Sequence, residues 1–500
     1  MELGHYILYG LQVAIQPMNL LYCFIGVFTG TLIGVLPGIG PTGTMSLLLP
    51  ITFHIPPVGA IIMLAGIYYG CQYGGSITSI LVNIPGEASS VITCLDGYQM
   101  ARQGKAGMAL GVSTIGSFIA GTISIVGLMF LAYPLAKIAL KFGPPEYFSF
   151  MCMGLVILTF LTQGSMLKSL MMALLGLLIG LVGLDPFTAK PRFALGFKEL
   201  MDGVGIVPLV MGLFGISEVL LNLEETVAED IYKTELTGLY SSLKGWIEAR
   251  WAILRGTIIG FFLGILPGGG AVLSSFVSYA LEKRFSKHPE KFGTGVIEGV
   301  AAPESANNAA AQSCFIPLLS LGIPPNVVMA VLYGGLLIHG IQPGPFLVQD
   351  HPDVFWGLVM SMYLGNVMLL VLNLPLIGIW VKILKVPYAI LFPLILFFCL
   401  IGVYTVNNSV FDIYLMVLFG LVGYLMKKFD FEPAPLAMAY VLSTILESSF
   451  RQSLSLSGGN FGVFFSRPIS VVCMALVVLM LAYQIVSSYI TKRRLQASQD

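Results

Sequence analysis

Apolar runs of about 20 residues, each enough to cross roughly 30 Å of hydrocarbon, recur from one end of the chain to the other. They fall near 18–36, 40–53, 56–82, 107–132, 146–162, 166–184, 204–222, 251–266, 269–281, 294–322, 326–348, 354–380, 386–403, 411–427, 434–450 and 468–490. Several are too short, or too interrupted by glycine and proline, to be plain spans. The pattern predicts roughly 10–13 crossings together with re-entrant or broken elements. A β-barrel would instead alternate polar and apolar residues in short segments. The chain therefore reads as an all-α polytopic membrane protein. Its most polar interruption covers 223–250 and carries Glu224, Glu225, Glu229, Asp230, Lys233, Glu235, Lys244, Glu248 and Arg250. Residues 1–222 then form a first transmembrane repeat and 223–250 a polar inter-repeat linker. Residues 251–500 form a second repeat with C-terminal helices and a short basic tail.

Composition agrees with that pattern. Hydrophobic residues make up 56%, charged residues 10%, and mean hydropathy is +0.89, where soluble proteins carry about 25% charged residues. Net charge is zero and no region is strongly basic, which excludes a nucleic-acid binder. The seven cysteines are scattered, without a CxxC pair or a His/Cys cluster, and read as small buried apolar residues. No cleavable signal peptide is evident. Lys492, Arg493 and Arg494, the basic loop 282–291, and Lys427–Lys428 place the C-terminus on the cytoplasmic side by the positive-inside rule. Lys190, Arg192 and Lys198 are candidates for the same face.

Two interruptions are written twice. GVLPGIG at 34–40 returns as GILPGGG at 264–270, identical at five of seven positions and offset by 230. The same offset lays Gly26, Gly30 and Gly34 over Gly256, Gly260 and Gly264. Glycines four apart share a helix face and permit close helix contact. Pro37, Gly38 and Gly40, matched by Pro267, Gly268, Gly269 and Gly270, then end the regular helix. A surface turn would explain one copy. Two copies at matching places point to an internal site, because backbone cannot stay unpaired against lipid and helix N-termini attract anions. Gly/Pro-broken segments in matching positions of two halves are a pointer to a transporter binding site.

The second pair is YGCQYGGSITSILVNIPGEASS (69–90) and PESANNAAAQSCFIPLLSLGIPPN (303–326). Ile84–Pro85 matches Ile323–Pro324 with an offset of 239. Ser305, Asn307 and Asn308 in the second half, and Ser76, Thr78 and Asn83 in the first, supply donors for a carboxylate or oxygens for Na⁺. Glu304 and Glu87 are candidate ion or proton sites, since an ionisable residue inside a membrane is a functional hypothesis. Capping of broken helices is the competing role, and for Glu87 and Asp96 a loop ending near Arg102 and Lys105 fits as well.

An enzyme would want a nucleophile–base pair or a metal cluster, but His5, His54, His288, His339 and His351 are dispersed. No GKS/GKT phosphate loop occurs in the chain. An anion channel, or another ion-coupled organic anion carrier, is the alternative to a substrate symporter.

GVLPGIGPTGTMSLLLP, YGGSITSILVNIPGE, GILPGGGAVLSSFVSYALEKRFSK and GVAAPESANNAAAQSCFIPLLSLGIP together resemble the large permease subunit of the tripartite tricarboxylate transporters, the TctA family. The resemblance covers nearly the whole chain. It implies a bacterial inner-membrane secondary transporter working with a small four-helix membrane subunit (TctB-like) and a periplasmic solute-binding protein (TctC-like). It implies import of a di- or tricarboxylate such as citrate by cation symport, Na⁺ or H⁺, with no other cofactor. It also implies inverted repeats, an elevator-type movement, and compatibility with a homo-dimer of the membrane complex. Carried onto this sequence, its motifs are Gly34, Pro37, Gly38, Gly40, Pro41 and Thr42, then Gly264, Pro267, Gly268, Gly269 and Gly270. They continue with Gly74, Gly75, Ser76, Thr78 and Asn83, and with Pro303, Glu304, Ser305, Ala306, Asn307 and Asn308. The substrate candidates among them are Gly38, Gly40, Thr42, Ser76, Thr78, Asn83, Gly268, Gly269, Gly270, Ser305, Asn307 and Asn308. The ion-coupling candidates are Glu304, Asn307 and Asn83.

Overall fold

Proline opens many of the long helices, where its missing N–H would be unpaired in any case. The computed structural model describes residues 3–36, 40–161, 165–224, 243–383 and 388–497. In chain order, α1 (Leu3–Ala14) and α2 (Pro17–Val35) precede a short α3 (Gly40–Leu48), and α4 (Pro57–Val82) follows. Next come α5 (Thr93–Arg102), the long α6 (Ala106–Ala139), α7 (Pro144–Leu161) and α8 (Met166–Gly180). A two-residue antiparallel pair, β1 (Gly183–Leu184) with β2 (Pro191–Arg192), closes that stretch. α9 (Ile206–Val210) runs through a π-helical stretch, Met211–Ile216, into α10 (Ser217–Glu224). α11 (Leu243–Ile265), α12 (Gly270–Phe285), α13 (Glu298–Ser313), α14 (Phe315–Leu321), α15 (Val327–Ile338) and α16 (Leu347–Asp350) follow. The chain then runs through α17 (Pro352–Asn373), α18 (Ile377–Ile383), α19 (Tyr388–Asn407), α20 (Val410–Lys428), α21 (Pro433–Leu456) and α22 (Pro468–Ala497).

Helix predominates as the hydrophobic pattern requires, and the protein is an all-α, multi-pass membrane protein. Among the described residues, α2, α6, α17 and α20 are each long and apolar enough to cross a bilayer. The interruptions predicted from glycine and proline are present. The apolar stretch 40–53 is α3 plus a 3₁₀ turn, and 294–322 divides into α13 and α14. Most of the polar linker, 225–242, lies outside the described residues, as do Pro37 and Gly38.

Two compact units can be distinguished, one of residues 1–137 with 205–429 and one of 138–204 with 430–500. In the smaller unit α21 packs on α7 and α8, with Gly176 against the Leu436 backbone. Phe148, Phe450 and Phe464 form an aromatic cluster there, with centroids 4.7–5.8 Å apart. The larger unit carries both Gly-Pro breaks. Its principal packing pairs are α2 on α4 and α11 on α13.

Those two pairs share one register. A Cβ at Gly26, Gly30 or Gly34 would run into the backbone of Met63, Ile67 or Cys71. At Gly256, Gly260 or Gly264 it would run into Ala302, Ala306 or Ala310. An added methyl would lie 2.5 Å from the Cys71 oxygen at Gly34 and 2.6 Å from the Ala310 oxygen at Gly264. The glycine side repeats with offset 230 and the partner side with offset 239, the two offsets legible in the motifs. Small residues let the backbones touch, which is how helices associate where lipid removes the hydrophobic drive.

Candidate functional site

The helices that follow the two breaks start alike. After the first, α3 starts at Gly40 with φ +63°; after the second, α12 starts at Gly270 with φ +58°. Left-handed φ at both starts accounts for glycine at both. The Ile-Pro interruptions match as well: Asn83 (φ 62°) ends α4 and Gly322 (φ 71°) ends α14, each just before Ile-Pro. The segments also cross over. α12 packs on the 3₁₀ turn Ala88–Ser90 of the first half, and α3 packs on α15 of the second.

Side chains and backbone from α4 and the second Ile-Pro turn close the broken ends. Thr78 Oγ1 donates to the Val35 carbonyl at 2.7 Å, satisfying a terminal acceptor of α2. Gly268 N–H donates to the Pro325 carbonyl at 2.8 Å. The amide of Asn326 lies beside Gly270, donates to Cys314 Sγ at 3.1 Å, and its oxygen accepts from Met329 N–H at 3.0 Å, capping α15. Among the described residues no side chain caps the start of α12 at Gly269, where the first N–H groups of a helix lack intrahelical acceptors. Thr42 is half-buried on α3, and its carbonyl accepts from Ser46. Asn83 stands apart, exposed at the end of α4.

The densest polar group is α13. Every residue from Gly299 to Ser313 is buried, among α4, α5, α6, α11 and α12. The Glu304 carboxylate accepts from Ser76 Oγ of α4, Thr93 Oγ1 of α5 and, at 3.2 Å, Ser113 Oγ of α6. Among the described residues no basic side chain pairs with it. Asn308 donates to Ser117 Oγ at 2.8 Å, to the Asn307 side-chain oxygen at 2.7 Å and to the Glu304 carbonyl at 3.1 Å. Ser305 Oγ faces Gly116 of α6, where a Cβ would sit 2.8 Å from it. Among the described residues Ser305 Oγ, Asn308 Oδ1 and Gln312 Oε1 are buried without a hydrogen-bond partner, an expensive condition unless a ligand or water meets them.

The other two acids have structural tasks. Glu87 caps the 3₁₀ turn Ala88–Ser90, and its carboxylate accepts from Ser89, which also donates to Gln72 at 2.7 Å. Asp96 accepts from Tyr279 OH at 2.8 Å and from the N–H groups of Gly293, Gly295 and Val296 at 2.8–3.0 Å. It ties the loop before α13 in place.

The family follows from comparison. The family described as "Tripartite tricarboxylate transporter TctA family" matches residues 20–438. This chain belongs to that family. A relative from Agrobacterium vitis is 49% identical over 466 residues, covering 93% of each chain, and is described as an uncharacterized 52.8 kDa protein in the TAR-I ttuC' 3' region. A shorter Agrobacterium vitis relative, described as an uncharacterized protein in the TAR-II ttuC' 3' region, is 48% identical over 234 residues. Those cover 47% of this chain and 97% of the relative. No solved structure matches. TctA is a transporter family, and both breaks and the whole of α13 fall within the matched residues.

In this TctA-family chain the structure gathers Ser76, Glu304, Ser305, Asn307 and Asn308 into one cluster. Gly268, Gly269 and Gly270 lie with Asn326 at the second break. Sequence reasoning missed Thr93, Ser113, Ser117, Gln312 and Asn326. Gln312 was findable, because it follows Asn308 by one helical turn. So was Asn326, which the 239 offset lays over Glu87, another cap.

Proposed function

We propose that this chain is the large permease subunit of a binding-protein-dependent secondary transporter that imports a di- or tricarboxylate, citrate-like, by cation symport. The observation that carries the reading is Gly40 and Gly270 each opening a helix at left-handed φ after a Gly-Pro motif, together with a polar helix buried from Gly299 to Ser313. A substrate carboxylate is received by the uncapped N–H groups at the start of α12, with the Asn326 amide beside them. Gly40 and Thr42 serve the same role at the first break. The cation is received on α13 near Glu304. The halves, 1–222 and 251–500 about the linker 223–250, act as inverted repeats, one moving against the other in an elevator-type step. The chain sits in the bacterial inner membrane with a cytoplasmic C-terminus. A small four-helix subunit and a periplasmic binding protein complete the system, and the membrane complex can pair as a homo-dimer.

The test is uptake of radiolabelled citrate and a panel of other carboxylates in vesicles holding all three proteins, under an imposed Na⁺ or pH gradient. Accumulation that disappears when the gradient is collapsed is expected. No accumulation of any panel member under either gradient would overturn the reading.

A further inference from the structure

We propose that the groove between α6 and α11 is a binding site for an anionic diacyl phospholipid, one acyl chain lying along α6 and the phosphate on Arg250. The inference needs only the membrane setting of the fold and is independent of the transport reading above. The groove has a volume of about 380 Å³. One wall is Ile115, Ile119 and Ile123, which recur every four residues and so make a stripe about 12 Å long on one face of α6. Leu254 of α11 faces them, and Trp246, Arg250 and Trp251 stand toward the amino end of that helix. Ile119, Leu254 and Ile123 are 38%, 40% and 45% exposed. On a multi-pass membrane protein such side chains meet hydrocarbon.

The polar end of the groove lies at a basic face of the protein. A Cβ at Gly116 would lie 3.5 Å from Ile253, and one at Gly127 would run into the Phe261 ring. The points of approach advance together, so α6 and α11 run in the same direction and their amino ends share one side of the membrane. Arg102 and Lys105 precede α6 on that side, and Arg250 lies near the start of α11. Gln103 donates to the Thr294 carbonyl at 2.7 Å, and Arg255 donates to Glu282 near the end of α12 at 2.8 Å. The basic loop 282–291 therefore returns to the same side. By the positive-inside rule this is the cytoplasmic face, where anionic headgroups are gathered by basic residues between membrane helices.

The two ends of the groove together select the occupant. An acyl chain gains little on moving from bulk lipid to the isoleucine wall, because lipid tails are as apolar as the side chains. Selection therefore rests on the headgroup. Arg250 donates to the Ile247 carbonyl and lies over the Trp251 ring, 5.9 Å from its centroid. Among the described residues no carboxylate pairs with it. A guanidinium has five N–H donors, and those left over suit phosphate oxygens. Trp246 and Trp251 beside it match the amphipathic rings found at headgroup level. A small anion would use Arg250 and leave the isoleucines uncovered. A lipid without net charge would cover the isoleucines and leave the positive charge of Arg250 unbalanced. An anionic phospholipid answers both.

The chain supplies its own reporter. Of its four tryptophans, Trp356 and Trp380 are 1% exposed, while Trp246 and Trp251 line the groove. Quenching by lipid-borne bromine therefore reads the groove. The experiment is tryptophan fluorescence of the full chain in vesicles of phosphatidylcholine brominated on its acyl chains, with unbrominated phosphatidylglycerol or unbrominated phosphatidylcholine mixed in. Phosphatidylglycerol is expected to restore fluorescence at a mole fraction about fivefold lower than phosphatidylcholine does. Arg250→Gln should bring the two lipids to the same mole fraction while its tryptophans remain quenchable. Raising salt to about 1 M should shrink the preference of the unmodified chain, which gives a second reading should Arg250→Gln fail to fold. Equal displacement by both lipids in the unmodified chain would overturn the proposal, as would an undiminished preference in folded Arg250→Gln. Loss of quenching when the small membrane subunit is reconstituted alongside would give the groove to a protein helix and overturn it too.

Discussion

Asp185 and Glu304 are both buried carboxylates, and they keep opposite company. Asp185, in the smaller unit, accepts both terminal guanidinium nitrogens of Arg451 at 2.9 Å and the N–H groups of Phe187 and Thr188. Arg192 lies 3.7 Å away and pairs with Glu447 at 2.7 Å, and Arg451 also reaches Glu447 at 3.1 Å. Two arginines answer two acids. Glu304, in the larger unit, is met by three hydroxyls and, among the described residues, by no basic side chain. A guanidinium has only donors to give, whereas a hydroxyl can turn a lone pair toward an arriving cation. A carboxylate balanced by arginine fixes structure; one without a basic partner inside a membrane protein is a candidate for a functional role.

The larger unit's framework should break most completely at the helix contacts. Gly260→Leu would force α11 from α13, because even a Cβ there meets the Ala306 backbone. We expect loss of folded, monodisperse protein on size-exclusion chromatography, while Gly378→Ala, where the added methyl meets nothing within 4 Å, behaves normally. A monodisperse Gly260→Leu protein would refute the close packing.

Asp185→Asn comes next. It leaves Arg451 and Arg192 facing only Glu447, so the thermal midpoint at neutral pH should fall. The Arg451 hydrogen bonds hold the Asp185 carboxyl well below the usual carboxylate range. Its stabilisation is therefore full above the unfolded value of about 3.9 and is lost as pH falls through the lower folded value. Midpoints measured from pH 7 downward should decline below about pH 4, and the decline should be shallower in Asp185→Asn. Parallel curves would remove Asp185 from the account.

Glu304→Gln should have the opposite sign. It keeps an oxygen for the hydroxyls and removes a charge without a counterion, so in sodium-free medium the protein should gain up to about 2 kcal/mol. A clear loss of stability would mean that Glu304, like Asp185, is chiefly structural. The smallest effect is expected at Thr78→Val, which strands the Val35 carbonyl at the end of α2 and should cost about 1 kcal/mol. Denaturation at matched detergent concentrations reads it.

Much of this framework is written locally. Glycines four apart, Pro-Gly after them, and the two offsets specify the helix pairs because each acts through its own backbone. The fate of a polar side chain is not local. Thr78 and Asn83 look alike as donors in the sequence, yet Thr78 reaches back 43 residues to Val35 while Asn83 is exposed at a helix end. Asp96 resembles a loop acid near Arg102 and Lys105, yet its partners are Tyr279 and a loop some 200 residues further on. Ser113 and Ser117 sit inside a long apolar helix, and nothing nearby in sequence announces that they face Glu304 and Asn308. The acids were visible as candidates, but their partners come from helices that only the fold brings together.

The most direct test is carboxylate accumulation in vesicles containing the complete system, comparing the unmodified chain, Glu304→Gln and Asp185→Asn, each normalised to folded protein. Under an imposed Na⁺ gradient the account predicts uphill accumulation by the unmodified chain and by Asp185→Asn, and none by Glu304→Gln. Undiminished, gradient-dependent accumulation by Glu304→Gln would contradict it.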